Sequence, residues 1–478
     1  MYELSDQAGP DAAVDAGAKR DVKNPVVNER SKRKRDKFKA AADGEWTQCM
    51  FKLERKARYC NVARVAGSLY CGNHIERDEG VVSNKSKKFK AEMRQRVPCT
   101  LDPSHTVYLY DLKKHLVVCN KLKEAEAMQA LPYFSRNINS GSHAAAPQDN
   151  TDVSVDEPDN ETEENSHEAP SAARQASIFQ ILAKMDYTAF AAKVEAAYAK
   201  AVGSIPTETL KHDACTKLLV EKEATGASHG ALRHIQQQAS IIGHMERKSL
   251  LHKSFTYMEL GAGRAMLSLA LTQLYPASPF ILIDRAGTRG KADQYIATES
   301  TCTRAKIDIR HLNLAGMKEA TETPLVCLSK HLCGVATDLS LRALATTLPP
   351  VQANAMSPHL HGLAIALCCH HACSWDDYVN PTYLEELGFS AADFKVLVSL
   401  SGWATCGMGT EGDAVETVLG WSREKRTALG RKSKRVIDMG RVLYLRAHGM
   451  HAELVHYCEE TDSLENCLLL ASRPPASA

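Results

Sequence analysis

The sequence lacks any apolar run approaching the length needed to cross a membrane, which excludes a helical membrane protein. Its first six residues also lack the basic and apolar regions of a signal peptide, so we expect an intracellular protein of the nucleus, the cytoplasm or both. Disulfides are rare in that reducing environment, and metal binding, catalysis and burial better explain the 15 cysteines. The net charge of +2 is uninformative because the two signs are segregated along the chain.

Hydrophobic periodicity is missing from two segments, and we predict that both are disordered. Residues 1–44 form an arm that contains the basic run Ser31-Lys-Arg-Lys-Arg-Asp-Lys37. Such a run is either a solvated arm, a nuclear import signal or a contact for nucleic-acid phosphates. Residues 140–175 form an acidic linker, with nine acids and no Lys or Arg between Asp149 and Glu168.

Four potential metal ligands lie in residues 45–78. Cys49, Cys60, Cys71 and His74 have the spacing C-x10-C-x10-C-x2-H. Three thiolates and an imidazole can complete a tetrahedral zinc site, and the short turn from Cys71 to His74 brings two ligands together. The alternative is a chance distribution in a basic loop. Because this segment has too little apolar material to fold without metal, we predict a CCCH zinc finger.

A second set of potential ligands lies in residues 96–123. Cys99, His105, His115 and Cys119 have the spacing C-x5-H-x9-H-x3-C, which places the last two one helical turn apart on a common face. The alternative is a helix that merely contains a histidine. The spacing resembles the CHHC finger of a minor-spliceosome protein and of a group of tRNA methyltransferases, in which the finger contacts or positions RNA. We therefore predict a second zinc site.

The rest of the chain, residues 177–475, is predicted to be an α/β domain with a helical lead-in. Within the lead-in, residues 229–244 are amphipathic, with a polar face of Arg, His and Gln. We interpret this segment as a helix that covers the sheet. Its polar face either shapes an RNA channel or serves only for packing.

The first strand of this domain is expected at Phe255–Leu260, and it runs into two glycines, Gly261 and Gly263. Apolar residues at helical spacing follow, so the pattern predicts a strand, a tight turn and a helix. Such a turn lets the backbone approach a nucleotide closely. The third glycine of the NAD pattern is missing, since Met266 stands there. Together with Glu259, the motif resembles that of an S-adenosylmethionine-dependent methyltransferase.

Further strand patterns predict a Rossmann-like sheet. The second strand ends at Asp284, about 20 residues past the turn, where such a sheet places an acid near ribose hydroxyls. The third is expected to carry Asp308, in the position where an acid or amide meets an adenine ring. Two more strands are expected at residues 324–334 and 362–367. Segments 442–445 and 467–471 are predicted to complete the sheet as a hairpin.

The fourth and fifth strands end in chemically reactive residues. Lys330 and His331 close one strand, and the run Cys368-Cys-His-His371 closes the next. Because consecutive parallel strands end at the same edge of the sheet, these residues could converge beside the cofactor. Thiols and imidazoles in a row could also bind a third metal. Adjacent residues on a strand end point in different directions, so such a site would need ligands from elsewhere.

The motifs together resemble those of the eukaryotic tRNA:m(4)X modification enzymes. The match covers residues 49–120 and about 230–472, and it includes both fingers in the family's order. The motifs that carry it in the catalytic domain are Glu259-Leu-Gly-Ala-Gly-Arg264, Ile283-Asp-Arg285, Ser329-Lys-His-Leu-Cys-Gly334, Ala336-Thr-Asp-Leu339, Ala366-Leu-Cys-Cys-His-His371, Lys434-Arg-Val-Ile-Asp438-Met-Gly-Arg441 and Leu454-Val-His-Tyr-Cys458. Ala265 departs from the family, which commonly has a glycine there, and residues 399–403 match only loosely.

The resemblance implies a methyltransferase that uses S-adenosylmethionine and two zinc ions. The family methylates the ribose 2′-hydroxyl of nucleotide 4 in the acceptor stem of certain tRNAs, namely those for glycine, proline and histidine. It implies tRNA as the partner and gives no indication of a membrane or an obligate protein partner. A zinc-finger RNA-binding adaptor with an inactive methyltransferase-like domain is one alternative.

The catalytic residues are expected where the Asn/Asp-Pro-Pro-aromatic motif of amino-group methyltransferases is absent. A ribose hydroxyl must be polarised by a cation or lose its proton to a base. Lys330 could lower the hydroxyl's pKa, and His331, Asp338 or His370 could accept the proton. A cytosine-C5 methyltransferase, with Cys333 or Cys369 as nucleophile, is the other alternative.

One further basic segment lies late in the chain. Residues 423–435 carry seven basic residues and one acid. They form either a solvated helix face or a phosphate contact on the catalytic domain.

Overall fold

The computed structural model describes residues 47–53, 58–75, 95–141, 186–287, 292–297, 301–351, 353–405 and 420–474. The predicted arm lies outside these ranges, and so does the predicted linker except for residues 140 and 141. The chain divides into two compact units: one holds the chain up to Pro98 with Thr106–Leu112, and the other holds Cys99–His105 and everything from Lys113 onward. Among the described helices, none is long and apolar enough to cross a membrane.

The strands of the described residues are numbered in chain order. They are β1 (Lys52–Leu53), β2 (Arg58–Tyr59), β3 (Arg96–Pro98), β4 (Thr106–Tyr108), β5 (Thr256–Leu260), β6 (Phe280–Asp284), β7 (Cys302–Lys306), β8 (Leu325–Cys333), β9 (Leu360–Cys368), β10 (His451–His456) and β11 (Cys467–Ser472). The pairs β1–β2 and β3–β4 are small antiparallel ribbons, and the other seven strands form one sheet.

The α-helices of the same residues are numbered in the same way. They are α1 (Leu112–Val118), α2 (Asn120–Gln129), α3 (Tyr187–Ala201), α4 (Asp213–Ala224), α5 (His229–Arg247), α6 (Met266–Thr272), α7 (Asp293–Ile296), α8 (Glu319–Glu322), α9 (Val335–Thr346), α10 (Pro381–Glu386), α11 (Ala391–Ser401) and α12 (Arg423–Ala447).

The large sheet has the strand order β10-β11-β9-β8-β5-β6-β7. Strands β9, β8, β5, β6 and β7 are parallel, while β11 is antiparallel to β9 and to β10. The chain passes outward from β5 to β7 and then returns to β8 on the other side of β5. In an open α/β sheet a ligand binds at such a switch point, at the carboxyl ends of the strands. The predicted Rossmann-like fold is confirmed, and its switch point lies between β5 and β8.

Apolar side chains on both faces explain why this sheet is buried. Along β5, Tyr257 belongs to one buried cluster, whereas Met258 and Leu260 belong to the other. This follows from the alternation of side chains along a strand. Ile241 of α5 covers the Tyr257 face, and Val442 of α12 covers the opposite face. The sheet therefore has a core on each side, as a parallel sheet requires.

The prediction of a strand at residues 442–445 is wrong, because these residues lie in helix α12. Val442 and Leu445 are three residues apart and both are fully buried, which is the spacing of one helix face. A short apolar run does not distinguish a buried helix from a strand. The hairpin that completes the sheet is instead formed by β10 and β11.

The chain before the predicted linker is fixed to the catalytic domain. Asn139 is fully buried, and its side-chain amide donates hydrogen bonds to the carbonyl oxygens of Ile309 and Leu312, at 2.6 and 2.7 Å. The backbone N–H of Gly141 donates to the carboxylate of Asp377 at 3.0 Å. The ordered chain therefore extends at least to Gly141, and the predicted start of the disordered linker at residue 140 is too early.

Candidate active site and metal centres

The four ligands predicted for the CCCH finger lie together. The three thiols are buried, and all four ligand atoms lie within 4.8 Å of one another. His74 directs Nδ1 to the Sγ atoms of Cys49 and Cys71, at 3.3 Å each. The ring of Phe51 stacks on the His74 imidazole, with centroids 4.0 Å apart. Three thiolates and one imidazole at this separation fit a structural zinc ion.

The CHHC ligands also converge, but not as the spacing predicts. All four ligand atoms lie within 4.8 Å of one another, and the Sγ atoms of Cys99 and Cys119 are 3.9 Å apart. His115 lies in α1, whereas Cys119 has an extended backbone and caps α2. The expectation that His115 and Cys119 share one helix face is therefore wrong, since the helix ends between them. The break turns the thiol of Cys119 toward the partner ligands.

A carboxylate that the sequence analysis missed supports this second site. Asp102 Oδ2 lies 3.2 Å from His105 Nδ1. The opposite ring nitrogen, Nε2, faces His115 Nε2 at 2.9 Å and is the atom that would bind zinc. A carboxylate on the far nitrogen of a metal-binding histidine fixes its tautomer and ring orientation. The signal in the sequence was an aspartate three residues before the histidine.

The turn after β5 is tight, as the glycine pattern predicts, and we call residues 261–265 the cradle. Gly261 has φ of +65°, and a Cβ there would lie 2.5 Å from the carbonyl oxygen of His331. Gly263 has φ of +47°, and a Cβ there would meet no atom within 4 Å, so it faces open space. Ala265 also has a positive φ of 59°. Glycine adopts this left-handed backbone without strain, so the geometry is compatible with the glycine that the family resemblance leads us to expect there.

The two acids nearest this turn hold it in place. Glu259 is buried, and its Oε2 accepts hydrogen bonds from the Ser268 backbone N–H at 2.9 Å and from the Ser268 hydroxyl at 2.5 Å. Burial raises the pKa of Glu259 to about 7, although the Ser268 hydrogen bonds oppose the shift. Asp284 Oδ2 accepts from the Gly263 N–H at 2.6 Å, and its Oδ1 accepts from the Ala286 N–H at 2.9 Å. Both acids thus shape the cofactor loop.

Asp308 lies just beyond the end of β7 rather than within the strand. Its Oδ1 accepts a hydrogen bond from the backbone N–H of Arg310 at 2.8 Å and caps a short 3-10 helix. The side chain is half-buried, at the same edge of the sheet as Asp284. The open space at Gly263 and the acids after β6 and β7 fit a nucleoside cofactor, with Asp284 and Asp308 as the residues that would hold the ribose and the adenine.

Lys330 is the half-buried cation at the carboxyl end of β8. Its Nζ lies 2.7 Å from Nδ1 of His234, a residue of α5. The polar face of α5 therefore reaches the switch point of the sheet. His234 is a candidate functional residue that sequence reasoning missed. The signal was its place on the polar face of an amphipathic helix.

Asp338 and His370 lie in a fully buried ionic network. Arg441 donates two hydrogen bonds to the Asp338 carboxylate, the shorter at 2.6 Å, and one to Asp438 at 3.0 Å. His370 Nε2 lies 2.7 Å from Asp438 Oδ1. Burial lowers the pKa of His370, which favours the neutral ring, and a proton on Nε2 would be donated to Asp438. Asp338 and His370 are therefore buried in the domain and do not lie on the surface at the strand ends.

The thiols at the strand ends cluster with His331. Cys368 Sγ lies 3.7 Å from Cys333 Sγ and 3.7 Å from His331 Nδ1. His331 and Cys333 are exposed, while Cys368 is buried. Hydrogen bonds from the Cys368 and Cys369 thiols lower the pKa of Cys333. The run at residues 368–371 could bind a metal only with ligands from elsewhere, and the structure places Cys333 and His331 of β8 beside Cys368 of β9.

The basic segment 423–435 is the start of α12, and three of its seven basic side chains are buried instead of lying on a solvated face. Arg426, Lys434 and Arg435 are buried. Lys434 pairs with Glu465 at 2.6 Å, and Arg435 pairs with Asp438 at 3.0 Å. The buried part of this segment therefore stabilises the domain and is not available to phosphates.

Comparison with known families agrees with this architecture. The family model "Methyltransferase TRM13" matches residues 236–472. The models "CCCH zinc finger in TRM13 protein" and "U11-48K-like CHHC zinc finger" match residues 47–75 and 96–120. The predicted domain content, a methyltransferase domain that follows a CCCH and a CHHC finger, is confirmed. Zinc as the metal of the fingers and S-adenosylmethionine as the methyl donor agree with these families.

Curated relatives match along almost the whole chain. The tRNA:m(4)X modification enzyme TRM13 of Saccharomyces cerevisiae is 30% identical over 90% of this chain and 97% of its own. The TRM13 homolog of Homo sapiens is 28% identical over 89% of this chain and 94% of its own. The solved structure of the mitomycin 7-O-methyltransferase MmcR is 12% identical, covers 63% of this chain and 67% of its own, and has a TM-score of 0.25, too low to carry an argument. The extent of the match to the curated relatives shows that the chain belongs to the TRM13 methyltransferase family.

Proposed function

We propose that this protein methylates the ribose 2′-hydroxyl of nucleotide 4 in the acceptor stem of tRNA, with the glycine, proline and histidine tRNAs as substrates. The names of the relatives, tRNA:m(4)X modification enzymes, support position 4 and tRNA. The proposal places the enzyme inside the cell, in the nucleus or the cytoplasm, where reducing conditions keep the finger cysteines from forming disulfides and so available to zinc.

The position of Lys330 is the observation that favours a hydroxyl group as the methyl acceptor. Lys330 lies at the switch point of the sheet and is half-buried beside His234. Methyltransferases that act on amino groups have the Asn/Asp-Pro-Pro-aromatic motif at this point, which is absent here. A cation at this place stabilises the negative charge that develops on an oxygen as it attacks. An amino group would gain nothing from a neighbouring cation, since it becomes positive as it attacks.

S-adenosylmethionine supplies an electrophilic methyl group, and the residues of this chain prepare the hydroxyl. We assign Lys330 to the ribose oxygen, with His234 holding its ammonium group. His331 follows Lys330 in the chain and is exposed, and we assign it as the base that accepts the proton of the hydroxyl. Asp338 and His370 act as positioning residues, because both are buried and bound to Arg441 and Asp438.

The second finger carries side chains suited to RNA. Tyr108, at the end of β4, and Tyr110, in the 3-10 turn that follows, stack on each other with centroids 5.5 Å apart, and both are more than a third exposed. The guanidinium of Arg96 lies over the Tyr108 ring at 4.9 Å. Exposed aromatic rings beside a basic group bind unpaired bases by stacking and phosphates by charge. We propose from these exposed rings and their basic neighbour that the fingers bind tRNA.

The test is methyl transfer from labelled S-adenosylmethionine to bulk tRNA, followed by complete digestion and identification of the labelled nucleoside. The proposal expects a 2′-O-methylated nucleoside that maps to position 4 of the acceptor stem. A labelled base instead of a labelled ribose would contradict it and direct attention to Cys333 as a nucleophile. Tight tRNA binding without transfer would favour the adaptor.

A further inference from the structure

The cluster at the ends of β8 and β9 has the arrangement of a metal site. The two strands are parallel neighbours, and Cys333 lies opposite Cys368 in the register. His331 and Cys333 are two residues apart, so their side chains leave the same face of β8. One imidazole and two thiols from two adjacent strands thus meet at one point, and all three ligand atoms lie within 4.8 Å of one another.

The separations in this cluster match the edges of a zinc tetrahedron. A zinc ion binds sulfur at about 2.3 Å and nitrogen at about 2.0–2.1 Å, so its ligands lie about 3.8 Å apart for two sulfurs and about 3.6 Å apart for sulfur and nitrogen. Here the sulfur–sulfur distance between Cys333 and Cys368 is 3.7 Å, and the distance from Cys368 Sγ to His331 Nδ1 is 3.7 Å. A zinc ion would fit between these atoms without a change of backbone.

The two fingers provide an internal standard. The sulfur–nitrogen distances in the CCCH site are 3.3 Å, and the sulfur–sulfur distance in the CHHC site is 3.9 Å. The cluster at the strand ends is as compact as these two sites. Among the described residues, these three are the groups of three or more His, Cys, Asp or Glu side chains whose ligand atoms all lie within 4.8 Å of one another.

We propose that His331, Cys333 and Cys368 bind a third zinc ion, at the carboxyl edge of the sheet and separate from both fingers. Its fourth coordination position is open, because His331 and Cys333 face solvent. Two thiolates and one imidazole with an open fourth position are a ligand set of catalytic zinc, whereas the fingers are closed sites with four protein ligands. The open position takes an oxygen ligand such as water or an alcohol.

Cys369 lies next to this cluster but is not one of the ligands. Its backbone is left-handed, with φ of 50°, and its N–H donates to Glu465 Oε1 at 3.2 Å. Its thiol interacts with both neighbouring thiols, yet it falls outside the group of atoms that lie within 4.8 Å of one another. Cys369 is therefore the natural control for the ligand set.

The site lies beside the cofactor cradle, since the carbonyl oxygen of His331 borders Gly261. If the proposed ribose methylation holds, the substrate hydroxyl would occupy the open position, and His331 would be a zinc ligand instead of the proton acceptor assigned above. The zinc ion would lower the pKa of the bound hydroxyl, whose proton would leave to water at this exposed edge of the sheet. Only this last step depends on the proposed function, because the metal site rests on the geometry alone.

The decisive experiment measures zinc per chain in the full-length protein, purified with a reductant, by mass spectrometry of the metal. We expect about three zinc ions in the wild-type protein and about two in His331→Ala and in Cys333→Ser. Both residues are exposed, so these variants should fold, and thermal melting verifies this. Cys49→Ser and Cys99→Ser should each also retain about two, while Cys369→Ala should retain about three.

Cobalt tests the open position by a second readout. The protein is loaded with cobalt(II) and titrated with azide, and the visible absorption is recorded. The wild-type spectrum should change on azide binding, and the change should be absent in Cys333→Ser, since the closed fingers have no free position. A zinc content of about two that stays unchanged in both exposed-ligand variants would overturn the proposal.

Two further results would also overturn it. A Cys333–Cys368 disulfide that persists in the protein purified with a reductant would show that these cysteines do not bind zinc. Loss of one zinc from Cys369→Ala would refute the three-ligand set and the open position. Absence of methyl transfer to tRNA with three zinc ions present would instead refute the proposed function and leave the metal site in place.

Discussion

At the scale of single residues, burial separates candidates that the sequence could not rank. Lys330 and His331 stand where a substrate could reach them, since one is half-buried and the other exposed. Asp338 and His370 have fully buried side chains with polar partners already in place. A buried, paired residue contributes to an active site by holding other groups, and its loss acts through the fold.

Lys330→Met should lower kcat/KM for tRNA methylation at least 100-fold, because it removes the cation at the attacking oxygen. Thermal stability should change little, since the apolar part of the side chain is kept. Lys318→Met is the control, because Lys318 is a lysine with an 83% exposed side chain. Steady-state kinetics and thermal melting measure the two effects. Activity close to wild type in Lys330→Met would refute the role.

Asp102→Asn should weaken zinc binding at the CHHC finger about 10- to 100-fold, the usual effect of losing the outer partner of a histidine ligand. Competition with a chelator of known affinity measures it. Glu124→Gln, on the exposed surface of α2, is the matched control and should leave the affinity unchanged. Equal affinities in Asp102→Asn and the wild-type protein would show that the 3.2 Å contact with His105 has no role in zinc binding.

At the scale of an element, the backbone conformation of the β5–α6 turn limits which residues its positions can hold. Gly261 cannot carry a side chain, because the His331 carbonyl occupies that space. Gly263 differs, since the space beside it is open, and its N–H is held by Asp284. Gly261 thus allows close packing against β8, whereas Gly263 borders the open space in which we propose that the cofactor binds.

Gly263→Ala should reduce S-adenosylmethionine affinity at least about tenfold, because the new methyl group projects into the open space of the cradle. The positive φ adds about 1 kcal/mol of backbone strain. Gly203→Ala controls for that strain, since its φ is +69° and it too meets no atom within 4 Å, but it lies far along the chain from the turn. Calorimetric titration should show a large effect for Gly263→Ala and none for Gly203→Ala.

The 3-10 turn Leu109–Asp111, which follows β4 in the second finger, is an element whose proposed task is stacking on RNA. Tyr110→Ala should weaken tRNA binding by about 1–3 kcal/mol, the cost of losing one base–aromatic stack. Tyr110→Phe keeps the ring and should bind like the wild-type protein. Filter binding at fixed salt measures both affinities, and zinc content verifies that the finger is intact. A similar loss in Tyr110→Phe would point to the hydroxyl instead of the ring.

At the scale of the whole molecule, the sheet brings together groups that are distant in sequence. The Arg441 guanidinium of α12 pairs with Asp338 of α9 from 103 positions away, and the segment around Asn139 attaches to residues 309–312. Buried Glu259 links the first strand of the sheet to α6 through Ser268. The global stability is therefore sensitive to the protonation of this carboxyl group.

Glu259 should make stability fall as the pH rises. Folding raises its pKa from the ordinary 4.5 to about 7, so its contribution is complete below pH 4.5 and is lost as the pH rises through 7. The difference amounts to about 3 kcal/mol. Glu259→Gln removes this titration, so its unfolding free energy should gain about 3 kcal/mol relative to the wild-type protein between pH 4.5 and pH 8.

Urea unfolding of both proteins across this pH range measures the effect. Glu221→Gln, at an exposed position of α4, is the control and should show a constant difference from the wild-type protein. A constant difference for Glu259→Gln as well would contradict the raised pKa.

Several features were determined by the sequence alone because they depend on local pattern. The spacing of Cys and His identified both fingers, and the two glycines after an apolar strand predicted the tight turn between β5 and α6. Asp284 and Asp308 could be placed because parallel strands end at one edge. The class of the fold followed from the alternation of strand and helix patterns, although the strand predicted at residues 442–445 belongs to a helix.

Only the tertiary structure decided which reactive groups meet. The partners of Lys330, Asp338 and Cys333 come from elements separated by dozens of residues, and no local spacing encodes the pairing of β8 with β9 or the packing of α5 at the switch point. Burial decided the rest, because a histidine in a sequence is equally consistent with a base, a metal ligand or a packed core residue. Its role depends on the water, charge and thiols around it, and these are set by the folded chain.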